Sequence, residues 1–132
     1  MSGTISFYYQ KKHGFETRKN LSAKISEKYP DRIPVIVEIH HLTNINVKLN
    51  HERFLIPASS TIMNFTQNLL KMLGTDNPHG TTFLFTEYNT IPLPQETFLE
   101  LSEKYKNKDG FIYLKLCMEE NAFGGLTKIL FQ

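Results

Sequence analysis

The residues that could carry chemistry are few and poorly placed for catalysis. Cys117 is the only thiol of the 132-residue chain, and it lies inside the apolar run Phe111 to Met118, where a thiol is held protonated and shielded. His40, His41 and His51 flank a polar stretch. No Cys, His or carboxylate spacing forms a metal set or a nucleophile–base pair around them. The expectation is therefore a protein that is not an enzyme, with no catalytic residue, no metal and no cofactor. A lone cysteine excludes an internal disulfide, and with no cleavable leader in view this points to a reducing, cytoplasmic setting.

The charge pattern allows a second kind of chemistry. The formal charge is only +2, yet residues 1–32 hold Lys11, Lys12, Arg18, Lys19, Lys24, Lys28 and Arg32 against Glu16, Glu27 and Asp31. Phe7, Tyr8, Tyr9 and Phe15 interleave with these cations, a composition that fits a basic nucleic-acid-binding module. No stacking or phosphate-binding motif accompanies it, so no nucleic-acid partner is expected. A solvated basic helix, or a face that meets acidic peptides or anionic lipid, accounts for the same residues.

These residues must be positioned by a small set of elements. Leu21, Ile25 and Tyr29 recur at steps of four and predict one side of a helix over 15–29, which Pro30 ends. Ile33 to Ile39 is rich in β-branched residues and predicts a strand with Pro34 at its start. Residues 53–57 predict a second strand, joined to the first by a polar stretch too short for a crossover helix. Ser59, Ser60 and Thr61 offer caps for a helix carrying Ile62, Phe65, Leu69 and Leu73 or Met72, with Gly74 as its left-handed stop. Thr82 to Thr86 predicts a third strand, Phe98 to Tyr105 a short helix, and Asp109-Gly110 a turn into a fourth strand. That last strand has apolar bulk on both faces: Ile112, Leu114, Leu116 and Met118 on one, Phe111 and Tyr113 on the other. Each face needs a cover, so the sheet is expected between helices.

Five blocks in order then carry a resemblance: Phe15-Glu16-Thr17-Arg18-Lys19 with Lys28-Tyr29-Pro30-Asp31-Arg32-Ile33-Pro34-Val35-Ile36-Val37-Glu38, Phe54-Leu55-Ile56-Pro57, Lys108-Asp109-Gly110-Phe111-Ile112-Tyr113, and Glu120-Asn121-Ala122-Phe123-Gly124. The chain resembles the autophagy ubiquitin-like modifiers, relatives of GABA-receptor-associated protein and the microtubule-associated-protein light chains. The resemblance implies an α+β ubiquitin-like β-grasp fold with a four-stranded mixed sheet and two additional N-terminal helices. Residues 1–30 would be the helical extension, 31–118 the core and 119–132 a flexible tail of the same single domain.

The resemblance also implies the function. A cysteine protease would trim the chain after Gly124, which follows Phe123, with Gly125 as the less favoured point. E1-like and E2-like enzymes would then pass the new carboxylate to phosphatidylethanolamine, giving a cytoplasmic pool and a lipidated pool on autophagosomal or vacuolar membranes. Glycine suits the step because, lacking a Cβ, it threads a narrow active-site channel. Cargo receptors and adaptors would be captured through aromatic-x-x-aliphatic peptides that add a strand beside residues 53–57. The aromatic pocket would use Ile25, Pro34, Ile36, Arg53, Leu55 and Phe111. The aliphatic pocket would use Phe54, Ile56, Pro57 and Phe65, and Lys28 and Arg32 would meet acidic residues flanking the motif. An adaptor that is not lipidated is the alternative.

Ser60 and Asn68 depart from the family's apolar pocket residues, which makes the aliphatic pocket shallower or more polar. Leu70-Lys71-Met72 replaces a more arginine-rich run. Glu119 and Glu120 before Phe123-Gly124-Gly125-Leu126 repeat the grammar of the expected peptide ligand, so weak self-docking of the untrimmed tail is a further expectation.

Overall fold

The structure, a computed structural model, describes residues 4–43, 47–74 and 81–119. Its elements run α1 (Tyr8–Lys12), α2 (Phe15–Lys28), β1 (Arg32–Ile39), β2 (Arg53–Pro57), α3 (Ile62–Met72), β3 (Thr81–Thr86), α4 (Phe98–Tyr105) and β4 (Ile112–Glu119). The four strands lie in the order β2-β1-β4-β3. β1 pairs antiparallel with β2 and parallel with β4, and β3 pairs antiparallel with β4.

Strand alternation divides the apolar residues between two faces. Val35, Val37, Leu114 and Leu116 point to the side covered by α3 and α4, where Phe65, Leu69, Phe98 and Leu101 complete the main core. Ile36 and Tyr113 point the other way and form a second cluster with Phe7, Tyr9 and Phe111, against which Leu21 and Ile25 of α2 pack. The sheet is thus covered on both sides by unlike helices.

Pro34 sits inside β1 without breaking it. Val37 donates its N–H to Glu52 O at 2.9 Å, whereas His40 donates to Leu116 O, so even-numbered residues of β1 aim their N–H groups toward β4. The β1–β4 ladder begins only at Val35 opposite Ile112, so at Pro34 no ladder donor is missed.

Local signals set several helix ends. Thr61 accepts the Asn64 N–H, Thr97 and Glu100 form a capping box, and Gly74 adopts φ +73° just past α3. Tyr29 departs from its expected place on the helix side. α2 stops at Lys28, because a residue that precedes proline is driven from helical backbone, and the Tyr29 side chain lies exposed with Lys28 Nζ 5.5 Å from its ring. Met72 is half exposed while Leu73 packs on the core.

α1 has no side-chain cap of its own and is too short to persist alone. A carboxylate from the sheet holds it: Glu38 accepts the N–H groups of Tyr8 at 2.9 Å and Tyr9 at 2.7 Å. Lys115 Nζ lies 2.9 Å from the same carboxylate and 4.4 Å from the Phe7 ring centroid. This fastening presses Phe7 and Tyr9 onto the face beneath α2.

Candidate functional site: the outer edge of β2

β2 ends the sheet, and among the described residues no strand pairs with its outer side. Register decides which of its backbone groups are open. Phe54 lies opposite Val35 and Ile56 opposite Ile33, and these odd-numbered β1 residues are the ones whose N–H groups aim at β2. Phe54 and Ile56 therefore spend their N–H and C=O groups on β1, while Arg53 and Leu55 turn theirs outward. That edge offers an alternating row of donors and acceptors to an incoming strand.

The side chains alternate in the opposite sense. Arg53 and Leu55 sit across from Ile36 and Pro34, on the α2 side of the sheet. Ile25 and Leu55 are half-buried and Arg53 is exposed, whereas Pro34, Ile36 and Phe111 are buried. All six residues expected in the aromatic pocket thus share one face, with Ile36 and Phe111 as its closed floor and Ile25, Leu55 and Arg53 as its accessible rim. On the other face, Phe54 packs edge-on to Phe65 with ring centroids 5.5 Å apart, and Phe65 does the same to Phe98 at 5.2 Å. Ile56 and Phe65 belong to the main core, so the accessible part of the aliphatic group is Phe54 and the exposed Pro57.

Lys28 and Arg32 are both exposed at the end of α2 and the start of β1. Arg32 Nη1 lies 3.4 Å from Leu55 O, one of the outward-facing carbonyls, which places a cation directly on the open edge.

Tyr9 is the neighbour that sequence reasoning missed. Its ring meets Phe111 edge-on at 5.7 Å, and its hydroxyl lies near Arg53. Burial pushes the phenol up from its ordinary range, against the pull of the Arg53 guanidinium. The run Phe7-Tyr8-Tyr9 signals only aromatic bulk, and the alternation that buries Phe7 and Tyr9 while exposing Tyr8 depends on the remote carboxylate of Glu38.

The residues weighed for catalysis are scattered. Cys117 is buried, and that burial, with Glu119 nearby, raises its thiol above the usual range. His40 stacks on His41 with ring centroids 4.5 Å apart, and burial is the main cause that lowers it. Among the described residues no three His, Cys, Asp or Glu side chains gather as a metal site, and no helix is long and apolar enough to cross a membrane. Phe123, Gly124, Gly125 and Leu126 lie outside the described residues.

Comparison with known proteins agrees with this architecture. Residues 17–124 match the family model described as autophagy protein Atg8, ubiquitin-like. An autophagy-related protein 8-like protein of Dictyostelium discoideum is 34% identical, over 91% of this chain and 95% of its own. Autophagy-related protein 8 of Mycosarcoma maydis is 32% identical, over 89% and 97%. The crystal structure of Trypanosoma brucei ATG8 superposes with a TM-score of 0.78 at 30% identity, covering 86% of this chain and 95% of that one. Plasmodium falciparum Atg8, solved with a Plasmodium falciparum Atg3 peptide, gives 0.70 at 25% identity, covering 84% and 95%. A four-stranded mixed sheet, helices on both faces and a match across most of the chain lead to one conclusion: this protein belongs to the Atg8 ubiquitin-like family of autophagy proteins.

Proposed function

We propose that this chain is a modifier and adaptor, acted on by enzymes and catalysing no reaction itself. Its narrower kin would be GABA-receptor-associated protein and the light chains; because β4 runs through Glu119, the tail the enzymes handle would begin one residue later than the expected 119. A cysteine protease hydrolyses the peptide bond after Gly124 and frees its carboxylate. The E1-like enzyme activates that carboxylate with ATP as an acyl-adenylate, releasing pyrophosphate, and takes the acyl group onto its cysteine with loss of AMP; the acyl group passes to the E2-like cysteine and then to the amine of phosphatidylethanolamine, forming an amide and freeing the thiol. The family match that ends at Gly124 supports this glycine over Gly125. The Plasmodium relative solved with an Atg3 peptide supports an Atg3-type partner in conjugation. Two acyl chains make the attachment durable, since each buried methylene contributes about 0.8 kcal/mol and a single chain is marginal. The protein then divides between the cytoplasm and autophagosomal or vacuolar membranes.

Capture of aromatic-x-x-aliphatic segments of cargo receptors is the second half of the reading. The observation that carries it is the edge strand β2, whose open backbone groups at Arg53 and Leu55 lie between an aromatic-lined face and the Phe54–Phe65 face. Arg53, Lys28 and Arg32 supply the cations for acidic residues flanking such a motif. Self-docking through Phe123 to Leu126 would use the same edge.

Mass spectrometry of the full chain incubated in lysate of its source cells tests conjugation. The expected result is loss of the residues after Gly124 followed by gain of a phospholipid mass. Persistence of the intact mass in lysate that processes a known relative overturns it.

A further inference from the structure

A cleft of about 320 Å³ lies where β1 begins, and it meets the outer edge of β2 at Arg32. α2 forms one wall with Lys19 and Ser26, Arg32 stands at the start of β1, and the end of α4 with the following loop contributes Ser102, Lys106 and Lys108. Four lining residues are therefore cations. The one lining acid, Asp109, is fully buried, and its carboxylate is already taken up by Arg18, Tyr113 and the Phe111 N–H. It offers the cleft little compensating charge.

Clustering, and not the lack of a partner, sets these cations apart, since Lys11, Lys24 and Lys28 also form no ion pair among the described residues. Lys12, Arg18, Lys104 and Lys115 each have a carboxylate partner. Lys19, Arg32, Lys106 and Lys108 form no ion pair among the described residues. Four like charges brought to one concavity by three separate elements repel one another and focus a positive potential into it.

We infer that this cleft is a binding site for a small polyphosphorylated ligand. Phosphate is favoured by charge density, since each group presents up to two charges and three acceptor oxygens in a compact volume. Arg32 can take two of those oxygens at once and lysines bind them as point charges, with Ser26 and Ser102 on the same walls. Four cations from three elements exceed the charge of one phosphate, so the ligand carries several, as free inositol phosphates and phosphoinositide headgroups do.

The test is an amide-shift titration of the full chain at physiological salt with inositol trisphosphate, with inorganic pyrophosphate and with a hexaglutamate peptide. Saturable shifts centred on Lys19, Ser26, Arg32, Lys106, Lys108 and Gly110 are expected with the phosphates. Lys106→Glu with Lys108→Glu should weaken binding about tenfold or more, and the milder Lys106→Gln with Lys108→Gln should weaken it with an unchanged fold. Lys11→Glu with Lys24→Glu removes the same charge outside the cleft and should change affinity less than about twofold. Vesicles doped with phosphatidylinositol bisphosphate separate the sources: recruitment that depends on Lys106 and Lys108 supports a lipid headgroup, and soluble binding without recruitment supports a free phosphate. Shifts spread over the N-terminal basic residues, equal losses in both double variants, or equal binding of hexaglutamate would overturn the inference. None of these variants touches β2, so failure here leaves the peptide reading intact.

Discussion

Arg18 of α2 and Asp109 in the turn before β4 form an ion pair inside the protein, with Asp109 fully buried and the Arg18 side chain 11% exposed. The same carboxylate accepts from Tyr113 Oη and, at 2.9 Å, from the Phe111 N–H. This one acid ties α2 to the start of β4 and to Phe111, one of the two floor residues of the aromatic face. Removing one member of a buried pair leaves an uncompensated charge, so Asp109→Ala should destabilise the fold by about 3–5 kcal/mol. Urea denaturation measures it, and a loss below about 1 kcal/mol would show that the pair is not needed to hold α2.

Gly110 gives an independent check on the same junction. Its φ is +96°, and a Cβ there would collide with Ser22 Oγ, the hydroxyl that donates to Asp109 O. Gly110→Ala should cost more than about 1 kcal/mol, because both the backbone and the contact are unfavourable. Adding Ser22→Ala should recover only part of the loss, since the backbone strain remains and the Ser22 Cβ is itself 2.9 Å from the new methyl. Full recovery by that second change would contradict the backbone contribution.

His40 predicts a pH dependence. Its Nδ1 accepts the Leu42 N–H at 3.1 Å, which requires the neutral ring, and burial followed by His41 and Lys115 lowers it from the ordinary value of 6.5. The unfolded chain therefore binds the proton more readily than the folded one. Stability from this group is complete above pH 6.5 and is lost as pH falls through the depressed folded value. Denaturation midpoints of the wild type should drop as pH falls below about 6.5, and His40→Gln should flatten that slope. An unchanged slope in the variant would assign the dependence to other groups.

The fold is legible where signals are local. β-branched residues mark β1, spacing and Thr61 mark α3, and Gly74 and Gly110 mark turns through their positive φ. What escapes is built from distant partners. α1 has five residues with no periodicity, and the carboxylate that caps it lies 29 and 30 residues away. Arg18 and Asp109 are 91 residues apart, and nothing near either one announces a buried pair. For the edge site, the two faces of β2 follow from alternation, but the degree of burial does not. Ile36 and Phe111 are floor, and Tyr9 enters through α1. The basic cleft is equally hidden, since Lys106 and Lys108 join Lys19 only after folding.

The central claim is that β2 receives a peptide strand through the outward groups of Arg53 and Leu55. Amide hydrogen exchange at single-residue resolution reads it directly, with and without an acidic aromatic-x-x-aliphatic peptide at saturation. The account predicts that the Arg53 and Leu55 amides slow by about tenfold or more, because they gain partners. Phe54 and Ile56, already bonded to β1, should change little. Slowing at Phe54 and Ile56 instead, or no change at Arg53 and Leu55 while the peptide is bound, would contradict it.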